Sequence, residues 1–310
     1  MSVARAPYRG MNTLPTGERA DRQAQQKHVP SLDKQHTEQR KDGIDTNLPA
    51  SSKMTGPCAF YLPDPTVSGR FESTELTRGP WDPASQHAGP PAALLARSIE
   101  LLPGLAPDPV SRLVGRITFE ILRPVPITTL LVEAEVVRPG RRVDLVSASL
   151  RDAGSGEELI RARAWRLRGE QLELPAGLSS TEPDAPPARA GRPGGALGPP
   201  PPPKELEADP GAFFPTGHDV GYHTGMEHRF AAGSLVEQGP AVCWMRMLRP
   251  LIAGEVPTPL ERVMVAADSG NGISSALDFS AYLFINVDLS VHLHRLPEGE
   301  SRVSGSASTP

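Results

Sequence analysis

Asp268, Asn271 and Gly272 have the types and the spacing to do chemistry. They sit in residues 262–277, Arg-Val-Met-Val-Ala-Ala-Asp-Ser-Gly-Asn-Gly-Ile-Ser-Ser-Ala-Leu. Apolar or small residues recur three to four apart, at Leu260, Val263, Ala267, Gly270, Ser274 and Leu277, which predicts a helix. Two features depart from an ordinary helix. Gly270 and Gly272 each cost roughly 1 kcal/mol relative to Ala. Asp268 lies among small apolar residues with no basic residue three or four positions away. At helical spacing Asp268, Asn271 and Gly272 share a face. A carboxylate there can take a proton, an amide can orient a water, and bare backbone admits a close neighbour. The competing reading is an exposed, idle carboxylate, and the two glycines weigh against it.

A second group is Gln86-His87-Ala-Gly89-Pro-Pro, which leads into an apolar run over residues 91–102. Prolines suit a first helical turn, where a missing N–H is no loss. Free amides at such an end favour developing negative charge, as on a thioester oxygen. Gln86 and His87 are equally well read as simple helix caps. His292 and His294 form a His-x-His pair near Asp288, but spacing fixes no third metal ligand, so no metal site is expected. The loop with His218, Asp219, His223 and His228 is as unspecific. Arg138, Arg141 and Arg142 flank a turn and could meet the phosphates of a nucleotide-bearing substrate, although a solvated hairpin tip is the stronger reading. No Gly-x-Ser-x-Gly elbow, phosphate loop, dinucleotide fingerprint or His-Glu-x-x-His motif is present.

The chain has 310 residues, enough for two globular units, and a net charge of -4 that gives no pull towards nucleic acid. Two cysteines, Cys58 and Cys243, cannot build a disulfide framework. No apolar run reaches the ~20 residues of a membrane span. Without a signal-peptide core, the expected location is cytoplasmic.

Residues 1–53 are polar and aperiodic and read as a disordered extension. A strand is expected over 71–77, the helix over 91–102, then four strands over 113–122, 129–137, 142–151 and 159–167. A helix and an antiparallel meander make an α+β unit in which the helix covers the sheet. Residues 172–210, with five consecutive prolines at 199–203, read as an extended linker. Two further strands, at 226–230 and 241–248, precede the helix at 262–277. A long strand over 283–297 places Ile285, Val287, Leu289, Val291 and Leu293 on one face and Asn286, Asp288, Ser290, His292 and His294 on the other. The halves rhyme: each has a helix, then a strand closing in Leu122-Arg-Pro or Arg295-Leu-Pro. Three strands follow the first corner. After residue 300 the composition shows no core pattern, so 301–310 is expected to be a disordered tail and the second half incomplete.

The chain resembles the double-hotdog acyl-CoA thioesterases, the thioesterase II-like proteins and their actinobacterial relatives. The marks are Trp81 with Gln86-His-Ala-Gly-Pro-Pro-Ala-Ala-Leu-Leu-Ala-Arg, Ile121-Leu-Arg-Pro-Val-Pro, Phe214-Pro-Thr-Gly-His-Asp-Val-Gly-Tyr-His-Thr, Val265-Ala-Ala-Asp-Ser-Gly-Asn-Gly and Phe284-Ile-Asn-Val-Asp-Leu-Ser-Val-His-Leu-His-Arg. The resemblance implies two hotdogs, at residues 54–171 and 211–300, each a sheet wrapped round a helix, the second incomplete. It implies hydrolysis of acyl-CoA to free acid and CoA by an activated water, with no metal or cofactor. In that pattern Asp268 and Asn286 are the catalytic residues, Asn286 replacing the family's hydroxyl. Gln86, His87, Gly89, Asn271 and Gly272 are the substrate-binding residues. The family's Gln lies on a strand for which the sequence shows no counterpart, as in a C-terminally truncated chain. The alternative is therefore a non-catalytic hotdog protein, inert or binding acyl groups or partners. Open strand edges would also favour a homo-oligomer.

Overall fold

A computed structural model describes residues 57–103, 112–169, 201–209, 217–235, 237–270, 272–274, 282, 285–296 and 302–306. The expected disordered extension at 1–53 lies outside them, as does most of the linker. The first half begins with β1 (Tyr61–Pro63) and β2 (Arg70–Ser73). The strand expected over 71–77 stops early, because Thr74 caps a 3-10 turn, Glu75–Thr77, through its side-chain oxygen. Helix α1 spans Gly89–Leu101 with Pro90 and Pro91 in its first turn. Then come β3 (Arg112–Ile121), β4 (Thr129–Arg138), β5 (Val143–Asp152) and β6 (Glu158–Arg168), each within a residue or so of its sequence pattern.

Period-two burial explains the sheet. Ile117 and Phe119 of β3, Leu130 and Val132 of β4, Val146 and Leu150 of β5, and Ile160 and Ala164 of β6 are buried. Leu94, Leu95 and Ile99 of α1 meet them in one core. Two inward positions break the apolar rule. Asp144 and Arg166 are cross-strand partners, both 1% exposed. Arg166 grips Asp144 with two hydrogen bonds, at 2.9 and 3.0 Å. It also donates to the carbonyls of Ile99 and Leu102, at 3.0 and 2.7 Å. One guanidinium thus neutralises a buried carboxylate and satisfies the orphan carbonyls ending α1.

The second half contains α2 (Tyr222–Gly225), β7 (Met226–Ala232), β8 (Ala241–Met247), α3 (Pro259–Ala267), β9 (Asp288–His292) and β10 (Arg302–Ser306). The C-terminal part of the expected linker is not a free spacer. Arg229 donates to the carbonyls of Pro203 and Leu206, and Trp244 to that of Pro201, which lays residues 201–209 along β7 and β8. The expected tail at 301–310 likewise contains β10, which pairs antiparallel with β8. Backbone pairing at an open edge needs no apolar alternation, so the composition of that stretch hid it.

Helix α3 differs from the expected 262–277 at both ends. It starts earlier, at a capping box: Glu261 N–H donates to Thr258 Oγ1, and Thr258 N–H to Glu261 Oε2. It stops at Ala267, where Asp268, Ser269 and Gly270, all poor helix formers, turn the chain. The glycines at 270 and 272 therefore lie beyond the helix and cost it nothing.

Helices α1 and α3 run side by side in opposite directions. At one end a Cβ on Gly89 would collide with the Val265 carbonyl oxygen, so only glycine admits this approach. At the other end Thr258 donates to Glu100 at 2.7 Å, and Arg97 makes a bidentate pair with Glu255 at 2.8 and 2.7 Å. Among the described residues the strands form a seven-stranded sheet, β1-β2-β4-β5-β6-β3-β9, and a three-stranded sheet, β10-β8-β7. The join is β3 with β9, antiparallel, with Phe119 opposite Leu289 and Ile117 opposite Val291. These strands follow the helices of their respective halves, so the sequence rhyme is realised as direct pairing.

Candidate active site

The C-terminal end of α3 and the N-terminal end of α1 meet at a cavity of about 510 Å³ lined from both halves. Asp268 occupies the C-cap position of α3 and is 8% exposed. A carboxylate there faces the negative end of the helix dipole, an unfavourable placement by roughly 0.3–1 kcal/mol. It is held by Asn286, whose Nδ2 donates to Asp268 Oδ1 at 2.7 Å. The other oxygen, Oδ2, lies 3.5 Å from His87 Nδ1.

His87 is brought there by α1. Its ring stacks on Tyr222, centroids 3.7 Å apart and planes within 2°. Tyr222 is itself pinned: its hydroxyl lies 2.8 Å from both the Val265 carbonyl, to which it donates, and Ser269 Oγ. Burial pushes the Tyr222 hydroxyl well above the ordinary phenol range. Burial also lowers the His87 pKa, and the Asp268 charge only partly opposes this. At neutral pH the imidazole is uncharged.

The expected free amides at the start of α1 are not there. Gly89 N–H donates to His87 Nδ1 at 3.1 Å, Pro90 and Pro91 have no N–H, and Ala92 N–H closes the first helical bond onto Ala88 O. Gln86 faces the cavity only in part. Its Oε1 accepts from Tyr61 at 2.7 Å, and its Nε2 donates to Ser73 Oγ and Pro126 O, both at 2.7 Å. The Gln86 side chain thus ties the loop to β1 and β2.

Asn271 lies outside the described residues. Gly272 lines the cavity, but no part of the sheet crowds it: a Cβ there would meet only Ser269 O, at ordinary contact distance. The expected long strand over 283–297 is shortened to β9, and its alternation holds only from residue 289 onward. Leu289, Val291 and Leu293 pack against the core, whereas Ile285 and Val287 are 59% and 74% exposed and turn to the cavity mouth. His292 and His294 are exposed, and His292 stands opposite Arg116 in register. Among the described residues no group of three or more His, Cys, Asp or Glu could hold a metal ion.

Sequence reasoning missed Tyr222 and Ser269 as parts of this arrangement. The only signal was Gly-Tyr-His beside a histidine-rich loop, which does not specify a stack on a residue of the other half.

A helix cradled by antiparallel strands, repeated and joined through equivalent strands, defines a double hotdog. Sequence models of the acyl-CoA thioesterase N-terminal and C-terminal domains match residues 77–167 and 199–309, in that order. The chain belongs to this acyl-CoA thioesterase family. No curated protein matches it. Among solved structures it is similar to a Thermobifida fusca protein assigned as a thioesterase II, at 18% identity and a TM-score of 0.52, covering 79% of this chain and 84% of that one. It is also similar to a Novosphingobium aromaticivorans protein assigned as a thioesterase, at 20% identity and a TM-score of 0.44, covering 67% and 71%. A hot dog fold protein of unknown function from Alicyclobacillus acidocaldarius matches at 17% identity and a TM-score of 0.40, covering 65% and 64%. At such identities the likeness is one of fold. No helix among the described residues is long and apolar enough to cross a membrane.

Proposed function

We propose that the chain hydrolyses acyl-CoA thioesters to free acid and CoA, with water activated by Asp268. The observation that carries this reading is the Asp268 carboxylate, fixed by Asn286 on one oxygen and with the other 3.5 Å from His87 Nδ1, at the wall of a cavity built from both halves. The cavity has the volume of a small-molecule site, and Trp81, Ile121, Val125, Leu235, Ile273 and Val287 give it the apolar lining an acyl chain needs. Asp268 accepts a proton from water as the oxygen attacks the thioester carbonyl. The C–S bond then breaks, and the thiolate leaves with that proton as the thiol.

The test is thiol release from acyl-CoAs of graded length by the whole chain and by Asp268→Asn. The substitution keeps the shape of the side chain and removes its basicity, and a loss of kcat by about 10²-fold or more is expected. Equal turnover by the two proteins would overturn the assignment. Saturable binding of acyl-CoA with no turnover by either would make the chain an acyl-binding protein.

A further inference from the structure

The mechanism above leaves the thioester carbonyl without an electrophile. The usual source, a row of amides at a helix start, is removed here by the sequence itself. Gly89 N–H is spent on His87, and the next two residues are prolines. Those same facts fix the state of His87. An N–H pointing at Nδ1 requires a lone pair on Nδ1, so the ring proton sits on Nε2. Nε2 makes no hydrogen bond to any described residue, and the ring borders the cavity. The stack on Tyr222 and the bond from Gly89 leave the ring one orientation.

We propose that His87 is a catalytic residue that acts as a neutral hydrogen-bond donor, its Nε2–H binding the thioester carbonyl oxygen and the oxyanion that replaces it. The proposal rests on the thioesterase reading of the site. The helix acts through the ring: the positive end of α1 reaches the cavity by way of Gly89 N–H, Nδ1 and Nε2–H. The donor does not move or ionise as charge builds on the carbonyl oxygen, which is what makes a preorganised donor effective. The rival arrangement places the proton on Nδ1, donated to Asp268, and makes Nε2 a base. It requires Gly89 N–H to lose its acceptor, and it uses the longer of the two Nδ1 contacts, 3.5 Å against 3.1 Å. Burial lowers the imidazole pKa, which agrees with a ring that stays neutral while it works.

Two measurements on the full chain decide the matter. In ¹⁵N-histidine NMR at neutral pH, the resonances absent from His87→Gln should report a bare Nδ1 and a protonated Nε2. In turnover assays His87→Ala should lose about 10²-fold in kcat, within the range for loss of one oxyanion donor. His87→Gln keeps an N–H and should recover at least tenfold of that loss. A protonated Nδ1, or equal loss in the Gln and Ala variants, would overturn the donor role in favour of a base. If Asp268→Asn abolishes turnover while His87→Ala does not lower it, the donor assignment fails and the thioesterase reading stands. If the unaltered chain does not hydrolyse acyl-CoA, both fall.

Discussion

Asn286 Nδ2 donates to Asp268 Oδ1 at 2.7 Å, binding the start of the segment before β9 to the end of α3. The amide has two consequences. It removes one of two equivalent positions at which water could sit, and it offsets the unfavourable placement of a carboxylate at a helix C-terminus.

Asn286→Ala should therefore lower kcat by roughly 10- to 100-fold, the rate equivalent of a hydrogen bond to a charged group, about 1.5–3 kcal/mol. Asn286→Thr, which restores a donor, should recover much of the loss. Steady-state kinetics of the two variants against the same acyl-CoA give the comparison. An Ala variant as fast as the unaltered protein would show that Asp268 needs no such partner.

The buried Asp144–Arg166 pair predicts a loss of stability without a loss of chemistry. Asp144→Ala leaves the Arg166 guanidinium buried and unpaired, at a cost of about 3–5 kcal/mol. Arg112, 3.4 Å from the same carboxylate, is left without it as well. Urea denaturation should show the lower midpoint, while kcat of the folded fraction is unchanged. Asp144→Leu with Arg166→Leu should be less damaging than Asp144→Ala alone, although the carbonyls of Ile99 and Leu102 lose their cap.

Two buried groups set opposing pH dependences of stability. Burial raises the Glu261 pKa to about 7. The folded chain thus binds an extra proton between the unfolded value, about 4.5, and about 7, and stability falls as pH rises through that window. Burial lowers the His228 pKa to about 4. There the unfolded chain holds the extra proton between about 4 and 6.5, and stability is lost as pH falls through that window. Glu100, raised, and His87, lowered, add one to each side. Unfolding free energies measured from pH 5 to 6.5 should slope more steeply upward with pH in Glu261→Gln and more steeply downward in His228→Phe. Parallel curves for all three proteins would contradict the burial of these groups.

The strands and helices of the first half were legible because each shows one period and carries its own stop signal. Leu94, Leu95 and Ile99 mark a helix face, and the turn at residues 138–142 separates two alternating runs. Asp144 and Arg166 could not be read in this way. Each looks like an error in a strand pattern until the β5–β6 register places them opposite one another. Asp268 was legible as a buried acid in an unfavourable place, and Asn286 through the family pattern. His87 was legible as a candidate but its stack on Tyr222 was not, because that stack depends on how the two halves meet. The glycines at 270 and 272 misled, since small residues at helical spacing also suit an irregular turn.

The β3–β9 join and the antiparallel seat of α1 on α3 have a consequence for how the site persists. In a hotdog pair made of separate chains, His87 and Asp268 would belong to different molecules, and dilution would part them. Here a covalent tether holds the two halves at a fixed effective concentration, so assembling the cavity is a unimolecular event. Dilution alone therefore does not part His87 from Asp268.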